Sequence, residues 1–201
     1  MLPIYIVVAL AVGLAIVVLL YVGAGTVAGS HWGRLALLVG VVALPLLLSA
    51  GSVSYGVRKS TETTFCLSCH EMQPYGGSLF ADNRAALSAV HYQKRLIDRD
   101  TTCYSCHADY AMFGDVKAKV NGLRHVWAHY FGHIPDKIAL YQKYPSANCL
   151  HCHDDARGFL EAPAHQPVLD AVYKGKVSCL ACHNLAHDLK ALEAHKLWQA
   201  K

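Results

Sequence analysis

All eight cysteines of this 201-residue chain occur in pairs, and a histidine follows each pair directly. Two residues separate the cysteines of a pair, so the pattern Cys-x-x-Cys-His occurs four times. Thiols at this spacing can bond to the two vinyl groups of one porphyrin, and the histidine can bind its iron. The repeats predict four covalently bound haem c groups, at Cys66, Cys69 and His70, at Cys103, Cys106 and His107, at Cys149, Cys152 and His153, and at Cys179, Cys182 and His183.

Two other uses of paired cysteines explain less of this pattern. Structural zinc in paired Cys-x-x-Cys knuckles accounts for the thiols but not for a histidine in the same place after every pair. Disulfides would suit an exported domain, yet they also leave the four histidines unexplained. Haem attachment is therefore the preferred interpretation.

The chain has more histidines than four motifs need. Of its 13 histidines, four belong to the motifs and His31 lies in the apolar N-terminal part. His151, inside its own motif, and His195, in the polar C-terminal tail, are predicted to face solvent. The remaining candidates for the far sides of the irons are His91, His125, His129, His133, His165 and His187.

The spacing of these candidates limits their roles. His125, His129 and His133 repeat every four residues, so on a helix they share one face. For each of them, packing against a haem edge explains the pattern as well as iron ligation does. His187 follows His183 too closely to reach the far side of the same porphyrin, so we expect it to serve a neighbouring haem.

The N-terminal 57 residues must anchor these motifs, and they contain one charged side chain, Arg34. Residues 2–30 and 35–57 are uncharged, and each exceeds the roughly 20 residues that cross a bilayer. We predict a transmembrane helical hairpin, kinked at Pro45, with Arg34 in a glycine-rich linker on the cytoplasmic side. A signal peptide would have a basic residue ahead of a shorter apolar run.

These features predict a mainly α fold with two parts: a membrane anchor over residues 1–57 and a tetrahaem domain over residues 58–201. The second part should consist of short helices and loops, because porphyrins fill much of its core. Haem c is attached after export, so we expect it on the periplasmic or outer face of a bacterial cytoplasmic membrane. A net charge of +4 gives no indication of nucleic-acid binding.

The first motif continues to a methionine, as Cys66-Leu67-Ser68-Cys69-His70-Glu71-Met72, soon after an uncharged segment. Over roughly residues 35–190 the chain resembles the NapC/NirT family of membrane-anchored tetrahaem quinol dehydrogenases. In that family Cys-x-x-Cys-His-x-Met marks the haem nearest the membrane. The resemblance implies Met72 as an iron ligand with His70 as the alternative, and implies as further ligands His91, His165 and His187.

The resemblance also implies a quinol site. Residues 117–125 correspond to the family region that supplies a lysine and an acidic residue beside the first haem. His125 occupies the acidic position, where it either coordinates the first iron or accepts a quinol proton, since an unperturbed histidine has a pKa of about 6.5. The predicted site consists of Lys117, Lys119, Arg124 and His125.

The expected function follows from these assignments. Membrane quinol, either menaquinol or ubiquinol, would be oxidised at the bilayer, and the electrons would pass to a periplasmic multihaem reductase such as a nitrite reductase. One alternative is a terminal reductase of a small nitrogen oxyanion at an open haem, although the surplus of histidines argues against it. Another alternative is a protein that carries electrons between other proteins and does not react with quinones. The oligomeric state is left open.

Overall fold

The computed structural model describes residues 4–135, 138, 140 and 144–199, and the chain forms two compact units, Met1–Lys59 and Ser60–Lys201. The described residues are mainly helical and contain no strand, only one antiparallel bridge between Ala81 and Leu197. The prediction of a mainly α fold is confirmed.

The first unit consists of apolar helices. Residues His31–Lys59 run as one helical segment of 29 residues, long and apolar enough to cross a membrane. Within the part of the chain that the structure describes, no other helix meets that test, because the apolar stretch Val7–Val22 is shorter. A hairpin of two spans therefore stays a prediction. The elements are α1 (Ile4–Val22), α2 (Ala24–Val27), α3 (His31–Leu37), a π-helix (Leu38–Ala43) and α4 (Leu44–Lys59).

Two glycines let α1 and the His31–Lys59 segment approach closely. A Cβ atom on Gly40 would lie 1.9 Å from Leu20 Cδ1, and one on Gly13 would lie 2.6 Å from Leu48 Cδ1. Small residues at such crossings are typical of helix packing in membranes. A π-helix precedes Pro45, whose ring interferes with the carbonyl four residues earlier, and the kink itself stays a prediction.

The second unit consists mostly of short helices, and the cysteine motifs lie on or beside four of them. Among the residues of this unit that the structure describes, the longest helix has 18 residues. The elements are α5 (Thr63–Cys66), α6 (Gln73–Gly77), α7 (Leu87–Gln93), α8 (Thr102–His107), α9 (Gly114–Phe131), α10 (Ser146–His153), α11 (Arg157–Leu160), α12 (Leu169–Tyr173), α13 (Leu189–Glu193), and 3-10 turns at His70–Met72, Ser78–Phe80 and Cys179–Ala181.

The protein core of this unit is small. Its buried cluster consists of four alanines, with Leu185 packed against them, and Ser78 is the largest side chain that is fully buried among the described residues. A domain of this length ordinarily buries much larger apolar side chains. This composition fits a domain whose apolar interior is completed by porphyrins. The four alanines are Ala81, Ala86, Ala89 and Ala191.

Polar contacts around this cluster hold the segments that carry His91 and His187. Gln93 Nε2 donates to the carbonyl oxygens of Leu79 at 3.0 Å and Ala81 at 2.9 Å, which ties α7 to the preceding turn. Asn83 Nδ2 donates to Asp188 Oδ2 at 2.6 Å. The other carboxylate oxygen of Asp188 caps α13 by accepting from Ala191 N at 2.9 Å.

Candidate haem ligands and quinol site

Three of the four motif histidines each face one histidine from outside the motifs. The ring centroids are 6.4 Å apart for His107 and His187, with nearly parallel rings. A metal-bound imidazole nitrogen lies about 2 Å from the metal and about 1 Å from its ring centroid, so two imidazoles on one iron have centroids roughly 6 Å apart. The other two pairs also fit, with 6.0 Å between His91 and His153 and 6.1 Å between His165 and His183.

The non-motif partner in each pair is oriented by a hydrogen bond at Nδ1. His91 Nδ1 lies 2.8 Å from Leu87 O, and His165 Nδ1 lies 2.9 Å from Phe159 O. A carbonyl oxygen only accepts, so these nitrogens carry the hydrogen and the Nε2 lone pair is left for a metal.

His187 is oriented in the same way by a side chain. Its Nδ1 lies 2.8 Å from Ser78 Oγ, and Ser78 donates its own hydroxyl hydrogen to Tyr75 O at 2.6 Å. The hydroxyl oxygen therefore accepts from His187 Nδ1. Burial lowers the pKa of His187 to about 4 and also lowers the pKa of His107. Both rings are neutral at pH 7, which is the form that binds metal.

The first motif is arranged differently. His70 and His129 have ring centroids 5.9 Å apart, but Glu71 Oε1 lies near both rings, at 2.7 Å from His129 Nδ1 and 3.4 Å from His70 Nε2. Hydrogen bonds from its own backbone N–H and then from His129 hold the pKa of Glu71 below its usual value. The nitrogen of His70 that would bind iron therefore lies beside a carboxylate. Met72, which ends the 3-10 turn, is half buried.

Helix α9 carries all the residues of the predicted quinol site. Only some of them lie near the first and second motifs. Lys119 Nζ donates to Ser60 Oγ at 2.7 Å and lies 4.2 Å from the ring centre of Tyr104, which belongs to the second motif. Desolvation lowers the pKa of Lys119. Lys117 is directed elsewhere, because its Nζ forms an ion pair with Asp109 at 2.8 Å.

The histidines of α9 also separate. His129 contacts Glu71 in the first motif, whereas His125 lies near His107, whose pKa is lowered by burial and further by the charge of His125. Desolvation lowers the pKa of His125 itself. His133 follows the end of the helix and is exposed, so the three histidines do not form one ligand cluster. Arg124 lies on the same helix, one residue before His125.

The four motifs contact one another in the order of the chain. The side chains of Cys66 and Cys103 are in contact, and so are those of Cys149 and Cys179. Between the second and third motifs, Asn148 Nδ2 donates to Ala108 O at 2.7 Å. The motifs therefore form one continuous series.

The two histidines predicted to face solvent are exposed. His151 stacks on Tyr110, with ring centroids 4.0 Å apart and an angle of 13° between the planes. Sequence reasoning missed Glu71 and Ser78 as orienting residues and left His129 undecided. The four-residue repeat pointed to His129, but no local signal marks Ser78, which lies 109 residues from His187.

Comparison with known proteins also indicates a c-type cytochrome. The NapC/NirT cytochrome c family, N-terminal region, matches residues 28–192. The chain belongs to this family. It is accordingly a c-type cytochrome with covalently bound haem c, anchored to a membrane and active in electron transport, and its paired cysteines and oriented histidines fit that cofactor.

Three relatives are 27–28% identical to the chain over the aligned residues. The cytochrome c-type protein TorC of Escherichia coli K12 is 28% identical over 80% of this chain, which spans 43% of the length of TorC. NapC of Haemophilus influenzae is 27% identical, covering 71% of this chain and 76% of NapC. The cytochrome c nitrite reductase subunit NrfH of Nitratidesulfovibrio vulgaris is 27% identical, covering 77% and 84%.

Among solved structures, a match is found with a chain of the cytochrome c nitrite reductase NrfHA complex bound to the inhibitor HQNO. The match has a TM-score of 0.46 and 21% identity, and covers 82% of this chain and 99% of the matched chain.

Proposed function

We propose that this chain is a tetrahaem cytochrome that oxidises membrane quinol and passes the electrons to a periplasmic or outer-face reductase. The observation that carries the proposal is the continuous series of motifs, three with a paired and oriented histidine, in the unit that begins at Ser60, directly after the membrane segment. Haem c, when bound, accepts and donates one electron at a time.

The proposed ligand sets differ between the first iron and the other three. His107 with His187, His153 with His91, and His183 with His165 have the spacing with which two imidazoles could hold one haem iron. At the first motif we assign Met72, because the Nε2 atom of His70 lies beside Glu71. His70 remains the alternative ligand there.

Quinol is proposed to bind beside α9 near the first motif. Lys119 lies against Ser60, the residue after the membrane segment, so its ammonium group is available where a quinol arrives from the bilayer. His125 is neutral at pH 7 because desolvation lowers its pKa, and a neutral imidazole accepts a proton from a quinol hydroxyl. Oxidation releases two protons and two electrons. Arg124 completes the site, and Lys117, held by Asp109, occupies its outer edge.

The outlet of the chain is proposed at the later motifs, on the outer face of the cytoplasmic membrane. The contacts from Cys66 to Cys103, from Asn148 to Ala108, and from Cys149 to Cys179 support a route through all four motifs. NrfH, a relative of similar length, is a nitrite reductase subunit, so we propose a multihaem reductase as the acceptor.

The experiment is anaerobic reduction of the full-length, haem-loaded protein in detergent by menaquinol and ubiquinol analogues, followed through the haem absorption bands. The proposal predicts rapid reduction by at least one analogue and its suppression by a quinol-site inhibitor. Full reduction by dithionite with no reduction by either quinol would overturn it. A conduit between proteins, or a terminal reductase that turns over added oxyanion, would then be the better description.

A further inference from the structure

Helix α9 exposes a continuous apolar stripe. Its members follow one another at intervals of four, three, four and three residues, which places them on one side of the helix. Each side chain is between 50% and 71% exposed, and Phe113 and Phe131 extend the stripe at its two ends. An exposed apolar surface of this length marks an interaction site. The stripe consists of Val116, Val120, Leu123, Trp127 and Tyr130.

The charged residues and histidines of α9 lie outside the stripe. By helical spacing, Lys119 flanks the stripe on one side, and Lys117 and Arg124 flank it on the other. His125 and His129 lie on the opposite side, and His129 uses this position to contact Glu71 in the first motif. The helix thus presents histidines to the haem domain and its apolar stripe outward.

Two contacts tie α9 to the start of the haem domain. Lys119 Nζ lies 2.7 Å from Ser60 Oγ, and His129 Nδ1 lies 2.7 Å from Glu71 Oε1. Ser60 is bonded directly to Lys59, the last residue of the apolar segment, and adjacent Cα atoms are about 3.8 Å apart. The first of these contacts therefore keeps Lys119 within a few ångströms of the point where the chain leaves the bilayer.

The chemistry of the exposed side fits a lipid surface. Trp and Tyr side chains are enriched at the membrane–water boundary, where an apolar ring and a polar tip both find suitable surroundings. Basic residues flanking an apolar face are typical of helices that lie in the plane of the membrane. Trp127, Tyr130 and the three cations supply this combination.

We infer that α9 lies in the membrane interface, with its apolar stripe inserted at the boundary between headgroups and acyl chains. It forms a membrane contact of the haem domain in addition to the apolar anchor. The partner of the apolar stripe is the same bilayer in which the chain is anchored. The inference rests on membrane anchoring and not on quinol oxidation.

The test uses full-length, haem-loaded protein in phosphatidylcholine–phosphatidylglycerol nanodiscs that contain a lipid with a photoreactive diazirine near the top of its acyl chain. After illumination and proteolysis, mass spectrometry maps the labelled peptides. We expect peptides from α9 to be labelled several-fold more than the peptide containing Leu96, a residue that is 59% exposed elsewhere in the same unit. Peptides from His31–Lys59 serve as the internal standard for insertion.

A double variant, Leu123→Asn with Trp127→Gln, supplies the second arm. Both side chains are two-thirds exposed, so the exchange removes apolar surface without disturbing a core. Labelling of α9 should fall to the level of the Leu96 peptide while the haem spectrum and the labelling of the anchor are unchanged. The inference is overturned if α9 of the unsubstituted protein carries no more label than the Leu96 peptide, as it would under a protein partner. Reduction by quinol of the protein in the same nanodiscs is measured separately and tests the proposed function.

Discussion

At the scale of single residues, the Nδ1 hydrogen bonds decide which histidines are prepared to bind iron. The cysteine motifs could be identified completely from sequence, because two thiols and a histidine lie within five residues of each other. The resemblance to a family supplied His91, His165 and His187. What orients His187 could not be predicted, because Ser78 is distant in sequence and a serine gives no local signal of such a role.

Ser78→Ala removes the acceptor for His187 Nδ1 and leaves its hydrogen unpaired in a buried place. Loss of such a partner of a metal-bound histidine typically weakens the metal site about 10–100-fold. We expect one of the haems to show increased high-spin character in its electron paramagnetic resonance and visible spectra.

Ser88→Ala is the matched control, because Ser88 Oγ is buried without a hydrogen-bond partner among the described residues. Unchanged spectra in Ser78→Ala, or the same change in both variants, would refute the proposed pairing of His187.

His125 should govern the pH dependence of quinol oxidation. Desolvation lowers its pKa below the usual value near 6.5, so the ring is a neutral base at pH 7 and becomes protonated only in more acidic solution. The oxidation rate should fall as the pH drops through this lowered pKa. At pH 7, His125→Gln should reduce the oxidation rate about tenfold or more. The substitution should also remove the dependence of the rate on pH in this range.

His133→Gln is the control for this variant, because His133 is exposed just beyond the end of α9. An unaltered pH profile in His125→Gln would exclude the role as a base. Conversion of one haem to high spin would instead identify His125 as an iron ligand.

At the scale of elements, the helices of the haem domain are short because their interior surfaces are small. The buried cluster is made of alanines, so α7 and α13 approach closely and bring their neighbouring histidines into place. Hydrophobic periodicity therefore gave little information about these helices, whereas the apolar segment His31–Lys59 was evident from composition. The separation of Lys117 from Lys119 could not be predicted, since it depends on an ion pair with Asp109.

Ala89→Leu tests this close packing. Ala89 is fully buried on α7, two residues before His91, and added methylene groups have no space there. Overpacking of this kind costs about 1–3 kcal/mol. We expect a lower Tm in circular dichroism and a disturbed spectrum of the haem to which His91 is proposed to bind.

Ala85→Leu provides the comparison, because Ala85 is exposed in the turn before α7. Equal Tm values for both variants would show that the alanine cluster does not position α7.

At the scale of the whole molecule, the motifs follow one another in space as they do in sequence, but the ligands do not. His187, beyond the fourth motif, faces the second, and His91, before the second motif, faces the third. These crossed pairs tie the two ends of the haem domain together. Sequence order gives the series of motifs, whereas the crossing depends on long-range hydrogen bonds from the start of α7 to Leu185 and Ala186, just before His187, that no local pattern records.

The most direct test of quinol oxidation at the first motif is stopped-flow reduction of Met72→Leu by a menaquinol analogue and by dithionite. Met112→Leu is the control, since Met112 is 87% exposed. If Met72 binds the iron that receives quinol electrons, Met72→Leu changes one haem spectrum and slows reduction by quinol about tenfold or more, while reduction by dithionite and the Met112→Leu variant are unaffected. Equal slowing with both reductants, or no slowing with quinol, would contradict the account.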